Sequence, residues 1–281
     1  MPNKYPILSP LPANYRYALV FDVESTGLLP KMNPITKLYP PLEQYPHVIQ
    51  MSWVQYDMVR NAIVESFNSY IKLPDGVEIS EFITELTGIT NEMCATQGRP
   101  IQEVLARFYT AYCRSQVVVA HNVFFDKAMV RTEIKRHMGE LNQMLGFSRQ
   151  EHTVEGVWVS PLQMFMKDEQ NAEMGIDMYC TMMATIQLCN IKCEYNPRAK
   201  SGVVSPDMED DAAQPPRGNS VRTFVKFPKL SELHDYLFGY VPDNLHNSMM
   251  DVLVCLRCFL KIRCCYALPD MKFAAITRKY I

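Results

Sequence analysis

Apolar positions in this chain gather first in Tyr17 to Phe21, a β-favouring run cut short by Asp22-Val23-Glu24 and a turn at Gly27. That pattern predicts a buried strand that carries two carboxylates to its own end. Val48 to Asp57 and Ala62 to Leu73 predict two further strands around a turn at Arg60 and Asn61, completing a three-stranded antiparallel meander. Leu86 to Thr90 predicts a tight link between short helical pieces. From Pro100 the period becomes helical, and Ile101, Val104, Leu105, Phe108 and Tyr112 predict a helix on the sheet, with the proline at its opening. Gln116 to Ala120 is a brief apolar strand, followed at once by His121-Asn122-Val123-Phe124-Phe125-Asp126 and a helix through Met129, Val130, Ile134 and His137. Asp177 to Leu188 predicts a short strand turning into a helix, and Leu230 to Leu237 a short helix. His246 to Asp251 open a long apolar helix containing Val252, Val254, Cys255, Cys258, Phe259 and Ile262. No internal repeat is visible.

Elsewhere the pattern is weak. Residues 138 to 176 predict no element beyond a strand near Val157. Leu29 to Pro46 holds five prolines and reads as a long loop beside the acidic pair, either substrate-facing or a neutral insertion. Residues 194 to 222, with Pro197, Pro206, Pro215, Pro216 and the acidic cluster Glu209, Asp210 and Asp211, predict a flexible insertion. The expected organisation is an irregular lead (1–16), one domain (17–266) and a C-terminal tail (267–281).

Composition changes this picture little. The chain has 281 residues, 48% hydrophobic and 21% charged, which suits a globular protein with a substantial core. No apolar run reaches bilayer length and the proline-studded start lacks the apolar centre of a signal peptide, so an intracellular protein (cytoplasm or nucleus) without a membrane partner is expected. Nine cysteines at irregular spacing fit a reducing compartment. Cys255-x-x-Cys258, followed by Cys264 and Cys265, has no second pair at zinc-ribbon spacing, and core packing explains it better. A net charge of -2 is neutral about partners, whereas Arg131, Lys135 and Arg136, beyond Asp126, could follow a nucleic-acid backbone or form a solvated face.

The chemistry lies in the acids. Alternation along a strand puts Asp22 and Glu24 on one side, where they repel unless a positive charge sits between them. Hard Mg²⁺ or Mn²⁺ is the natural partner of such oxygens. Asp126, just past a core strand, and Asp251, at the start of a helix, are two further acidic stations. Asp251 also lies three residues after Ser248, as in a capping box. Five residues along a helix turn by about 500°, so His246 shares a site with Asp251 only from the preceding loop.

With the four carboxylates marked, the chain resembles the DnaQ-like DEDDh 3′-to-5′ exonucleases. Asp22, Glu24, Gly27 and Leu28 match the first motif, His121, Asn122, Phe125 and Asp126 the second, and His246 with Asp251 the third. The sister subclass carries tyrosine four residues before its last aspartate, where this chain has Asn247. Lys226 to Leu233, followed by Leu237-Phe238, is similar to stand-alone exonucleases of large DNA viruses, which would place the protein in a host cell.

The resemblance implies an RNase H-like α/β fold, a mixed five-stranded sheet flanked by helices, from Tyr17 to Ile262. It implies two divalent ions, Mg²⁺ or Mn²⁺, held by Asp22, Glu24, Asp126 and Asp251. Asp22 would bridge them, Asp126 would be the outer ligand, and His246 would take the proton of the attacking water. Thr26, Gly27, Leu28, Asn122 and Phe125 are expected against the substrate, a single strand of DNA or RNA with a free 3′ end. For Leu28 core packing is the competing reading, for Asn122 a turn role, and for His121 a structural role. A proofreading role implies a polymerase on another chain. A catalytically silent nucleic-acid-binding or adaptor subunit of a replication or repair complex is the alternative. Cys180 stands where many of these proteins carry an aspartate.

Overall fold

The computed structural model describes residues 11–12, 14–147, 153–154, 157–194 and 223–281. Five strands, β1 (Tyr17–Ser25), β2 (Val48–Asp57), β3 (Ala62–Tyr70), β4 (Val117–Ala120) and β5 (Asp177–Cys180), form one sheet in the order β3-β2-β1-β4-β5. The β1–β2 and β2–β3 pairs are antiparallel, while β1–β4 and β4–β5 are parallel. This is the mixed five-stranded sheet the sequence implied. The helices are α1 (Glu81–Thr87), α2 (Asn91–Gln97), α3 (Ile101–Cys113), α4 (Val123–Arg136), α5 (Met138–Met144), α6 (Pro161–Met164), α7 (Asp168–Met174), α8 (Thr181–Cys189), α9 (Leu230–Phe238), α10 (Ser248–Arg263) and α11 (Asp270–Tyr280).

The core follows from the apolar periods. Phe21 of β1 and Trp53 of β2 meet Phe108 of α3 at ring-centroid distances of 5.1 and 5.4 Å, and Trp53 stacks on Phe67 of β3 at 4.1 Å. β2 is buried along its whole length, because a second apolar cluster, Ile49 with Ile79, Ile83, Ile89 and Cys94, lies beneath α1 and α2. Its two glutamines are partnered: the Gln50 amide donates to Asn68 Oδ1 at 2.9 Å, and that of Gln55 to Ser115 Oγ at 3.0 Å, whereas the Trp53 indole N–H and the Tyr56 hydroxyl are buried without a hydrogen-bond partner among the described residues. Arg257, almost fully buried on α10, is satisfied by the Leu268 carbonyl, the Tyr240 hydroxyl and the Asp270 carboxylate. It thereby ties α11 to the core, where Leu268 and Phe273 are also buried. The segment 267–281, placed outside the domain by its sequence, thus contributes a packed helix.

Among the described residues of 138–176 are three helices that the sequence pattern does not announce. α5, α6 and α7 have seven, four and seven residues, too few turns for a period to show, and α6 is set by the Ser160 cap with Pro161 at its first position. The strand near Val157 is present as a two-residue ribbon with Thr153–Val154. The insertion expected at 194–222 lies outside the described residues except at its edge, where Lys192–Glu194 pairs antiparallel with Thr223–Val225. Among the described residues no helix is long and apolar enough to cross a membrane.

Gly98 is required by a close backbone approach. A Cβ there would sit 2.1 Å from the Cys94 carbonyl oxygen and 2.6 Å from the Lys72 nitrogen. Neither is a flexible side-chain end, so Gly98→Ala must displace the chain where α2 returns to the sheet. The expected outcome is a loss of about 1–3 kcal/mol in denaturant-unfolding stability, with the remote acidic site unaffected. Unchanged stability would show that the approach relaxes freely.

Candidate active site

The site forms because β1 outruns its parallel neighbour. β4 pairs with β1 only at Ala18, Leu19 and Val20, which leaves the backbone beyond it without a strand on that side. The Val23 N–H there donates to Asp126 Oδ1 at 3.1 Å. Asp126 is 2% exposed, in the first turn of α4, and it enters that turn through Asn122, which holds a left-handed conformation at φ 71°. Such geometry is tolerated by Asn better than by most residues. The Asn122 carbonyl accepts from the Phe125 N–H at 2.9 Å, so this residue shapes the turn, and Phe125 packs against the main core.

From the opposite side α10 delivers Asp251. Asn247 caps this helix, accepting from the N–H groups of Met249 and Met250 at 3.1 and 3.4 Å. The Ser248 hydroxyl donates to the Asp22 carbonyl at 2.9 Å, and its N–H to Gln50 Oε1 at 3.3 Å. The capping-box reading of Asp251 is therefore corrected: Asn247 supplies the cap, and Asp251 is free to face the strand. One carboxylate oxygen each from Asp22, Glu24 and Asp251 lie within 4.8 Å of one another. Asp126 stands behind this trio, bonded to β1 and electrostatically in contact with Asp22 and Asp251.

This crowding has an electrostatic signature. Burial pushes Asp22 up to about 7 against the pull of the Ser248 hydroxyl. Burial, then the charges of Asp22, Asp251 and Asp126, carry Glu24 up to about 10. Burial and Asp22 raise Asp251 to about 8 despite its bond from the His246 N–H. Asp126 is held well above the carboxylate range by burial first and Asp22 second. No basic side chain figures among these influences. A set of hard oxygen donors drawn together without a protein cation fits a divalent metal ion, with Asp22, Glu24 and Asp251 as the ligands the geometry offers.

His246 lies on the loop before α10, as its spacing from Asp251 requires. It is exposed, has φ 70°, and its N–H donates to Asp251 Oδ2 at 3.2 Å. His121 is structural: its ring nitrogens meet Thr181 Oγ1 and the Pro228 carbonyl, both at 3.0 Å, and burial pushes it down to about 4. Leu28 is 75% exposed, which removes the core-packing reading. Thr26 Oγ1 accepts from the His47 N–H at 2.9 Å, and Gly27 receives the Ser25 hydroxyl on its carbonyl at 2.7 Å, so both fix the turn that leads to Leu28. Cys180 is buried and accepts from the Met183 N–H at the start of α8. Cys255 and Cys258 are buried free thiols in the core.

Neither the backbone-tracking nor the solvated-face reading describes Arg136. Its guanidinium donates to the carbonyls of Leu42, Tyr45 and Pro46 and to Glu133 Oε1 at 2.7 Å. It is the anchor of the proline-rich loop, whose far part exposes Ile35, Leu38 and Tyr39. The sequence also gave no reason to single out Ser248 and Gln50 as the pair that fastens α10 to the strands. The available signal was polar residues in strands and helices otherwise fully buried.

Residues 19–156 match the family model described as Exonuclease. The DNA polymerase III PolC-type protein of Streptococcus mutans is 33% identical over 119 residues, 42% of this chain. The chain spans 7% of that relative's length. Among solved structures, E. coli Exonuclease I in complex with a dT13 oligonucleotide matches with a TM-score of 0.51 and 13% identity, over 94% of this chain and 44% of that one. A zinc-bound form of the E. coli ExoI–ssDNA complex matches with a TM-score of 0.50 and 14% identity, over 88% and 41%. These two are likenesses of fold.

Proposed function

We propose, from the match of residues 19–156 to the Exonuclease model, that this chain is a DnaQ-like, divalent-metal-dependent exonuclease of the histidine subclass, shortening nucleic acid from 3′ ends and releasing nucleoside 5′-monophosphates. The observation that carries this reading is the meeting of Asp22, Glu24 and Asp251 within 4.8 Å, with Asp126 behind them. A phosphodiester is anionic and its 3′ oxygen is a poor leaving group, so hydrolysis needs concentrated positive charge and an activated water. A pair of divalent ions supplies both when bound. Asp22, Glu24 and Asp251 would hold them, with Asp126 on the outer side.

The chain's own residues do the rest. His246, exposed and tethered by its backbone to Asp251, takes the proton of the attacking water. Leu28, lifted into solvent by the Ser25–Gly27 turn, meets the terminal base, and the strand is held by stacking and phosphate contacts. DNA is the favoured substrate because the streptococcal relative is a DNA polymerase by name, and a polymerase is the partner class this implies.

Digestion of matched DNA and RNA single strands, labelled at either end, with and without Mg²⁺, tests the reading. Mononucleotide release from the 3′ end, only with metal and faster on DNA, is expected. Binding without shortening would instead mark a silent nucleic-acid-binding subunit. The histidine has its own test: His246→Asn should lower kcat about 10²–10⁴-fold. A variant that keeps the wild-type rate removes His246 from the chemistry.

A further inference from the structure

We propose that a second, separate site, between α4 and the segment Leu162–Lys167, binds the phosphate of a nucleotide unit. It is a cavity of about 280 Å³, near the lower end of small-ligand pockets at about 300 Å³. Three cations, Arg131, Lys135 and Lys167, and the amide of Gln163 line it, over a floor of Ile134, Met138 and Leu162. No carboxylate is among its lining residues. Neither Lys135 nor Lys167 is paired with a carboxylate among the described residues, and the Lys167 ammonium meets only the Met164 sulfur, at 3.4 Å. Glu169, which is not in the lining, acts on Arg131 through its charge.

The walls are fastened before any ligand arrives. Arg131 Nη1 donates to the Phe165 carbonyl at 2.5 Å, and Lys127 pairs with Asp168 at 3.1 Å, so one bond clamps this segment to α4 and a second clamps the start of α7 that follows it. The pocket is not part of the acidic site. Lys135 lies nine residues after Asp126, about 900° around the helix and therefore on the opposite side, and it is exposed where Asp126 is buried. Cations beside apolar lining residues, with Arg131 held in place and no competing carboxylate in the lining, suit a phosphoryl group that carries a base and sugar. Only the choice of a nucleotide as occupant rests on the nuclease reading. The phosphate could belong to a strand whose end lies at the acids, or to a free mononucleotide.

The test uses the full chain in EDTA, where no divalent ion is left at the acids to hold phosphate, and measures binding of a fluorescent dT12 and of thymidine 5′-monophosphate to wild type, Lys135→Gln/Lys167→Gln and Lys135→Arg/Lys167→Arg. The Gln pair should weaken binding about tenfold and the Arg pair should restore it, with thermal unfolding unchanged in both. If the site takes a strand, dT12 affinity falls and its dependence on salt flattens by about 0.7 per lost phosphate contact. If it takes a free nucleotide, the monophosphate loses affinity. Equal binding of both probes by all three proteins, or no binding by wild type, overturns the proposal. Hydrolysis with Mg²⁺, measured in parallel, decides the nuclease reading independently: its absence would leave a positive binding result standing.

Discussion

Asp22→Asn is expected to lower hydrolysis by about 10³-fold or more while leaving the fold intact and more stable than wild type. Metal-borne stabilisation of a phosphoryl transition state is worth several kcal/mol, and each 1.36 kcal/mol is about tenfold in rate. Asp22 is central because its charge raises Glu24, Asp251 and Asp126 alike. An amide of the same shape offers one neutral oxygen and would hold a divalent cation far less well. The bond that fastens α10 to β1 survives, since Ser248 donates to the backbone carbonyl of residue 22. Removing one charge from a crowded, half-buried group also relieves repulsion, so the melting temperature in EDTA at neutral pH should rise. Steady-state hydrolysis and thermal unfolding of the same preparation check both halves. A variant that is inactive because it is unfolded, or one that is fully active, would contradict this account of the site.

The metal-free protein should lose stability as pH rises, and a divalent ion should restore it. A carboxyl whose folded pKa lies above its unfolded value of about 4 carries more protons when folded, so deprotonation favours the unfolded chain. The relevant folded values are about 7 for Asp22, about 8 for Asp251 and about 10 for Glu24. The contribution of these groups is therefore fullest below about pH 4 and declines through the range up to about 10. Ions that bind the deprotonated acids reverse the trend. At roughly 100 times its dissociation constant, an ion adds about 2.7 kcal/mol, or roughly 5–10 °C for a chain of this size. Melting curves from pH 5 to 9, in EDTA and in Mn²⁺ or Mg²⁺, should diverge as pH increases. Curves that stay parallel would mean that the ions do not bind at these acids.

Much of this was legible in the chain because the elements that build the site are long and periodic. β1 and β2 announce themselves as β-favouring runs and α3 by helical spacing, and runs of that kind are buried whichever neighbours cover them. The acids are legible for a related reason. Carboxylates at the ends of apolar runs have no apolar explanation, and three motifs in order point to a common site. His246 was placed on a loop by arithmetic alone, since the helical turn would otherwise aim it away from Asp251.

The short helices α5, α6 and α7 were not legible, because one or two turns cannot display a period and their formation depends on caps and on the surfaces they cover. Nor could sequence distinguish an arginine that tracks a ligand from one that anchors a loop. Arg136 is decided by three carbonyls some ninety residues earlier in the chain, and Arg131 by one on the segment after α6. The chain by itself therefore determined which residues are charged, which are apolar and at what period, and so the layers of the fold and the identity of the acids. Only the tertiary structure decided which polar groups spend their hydrogen bonds internally and which remain for a ligand, because that choice depends on distances between segments that the order of residues does not contain.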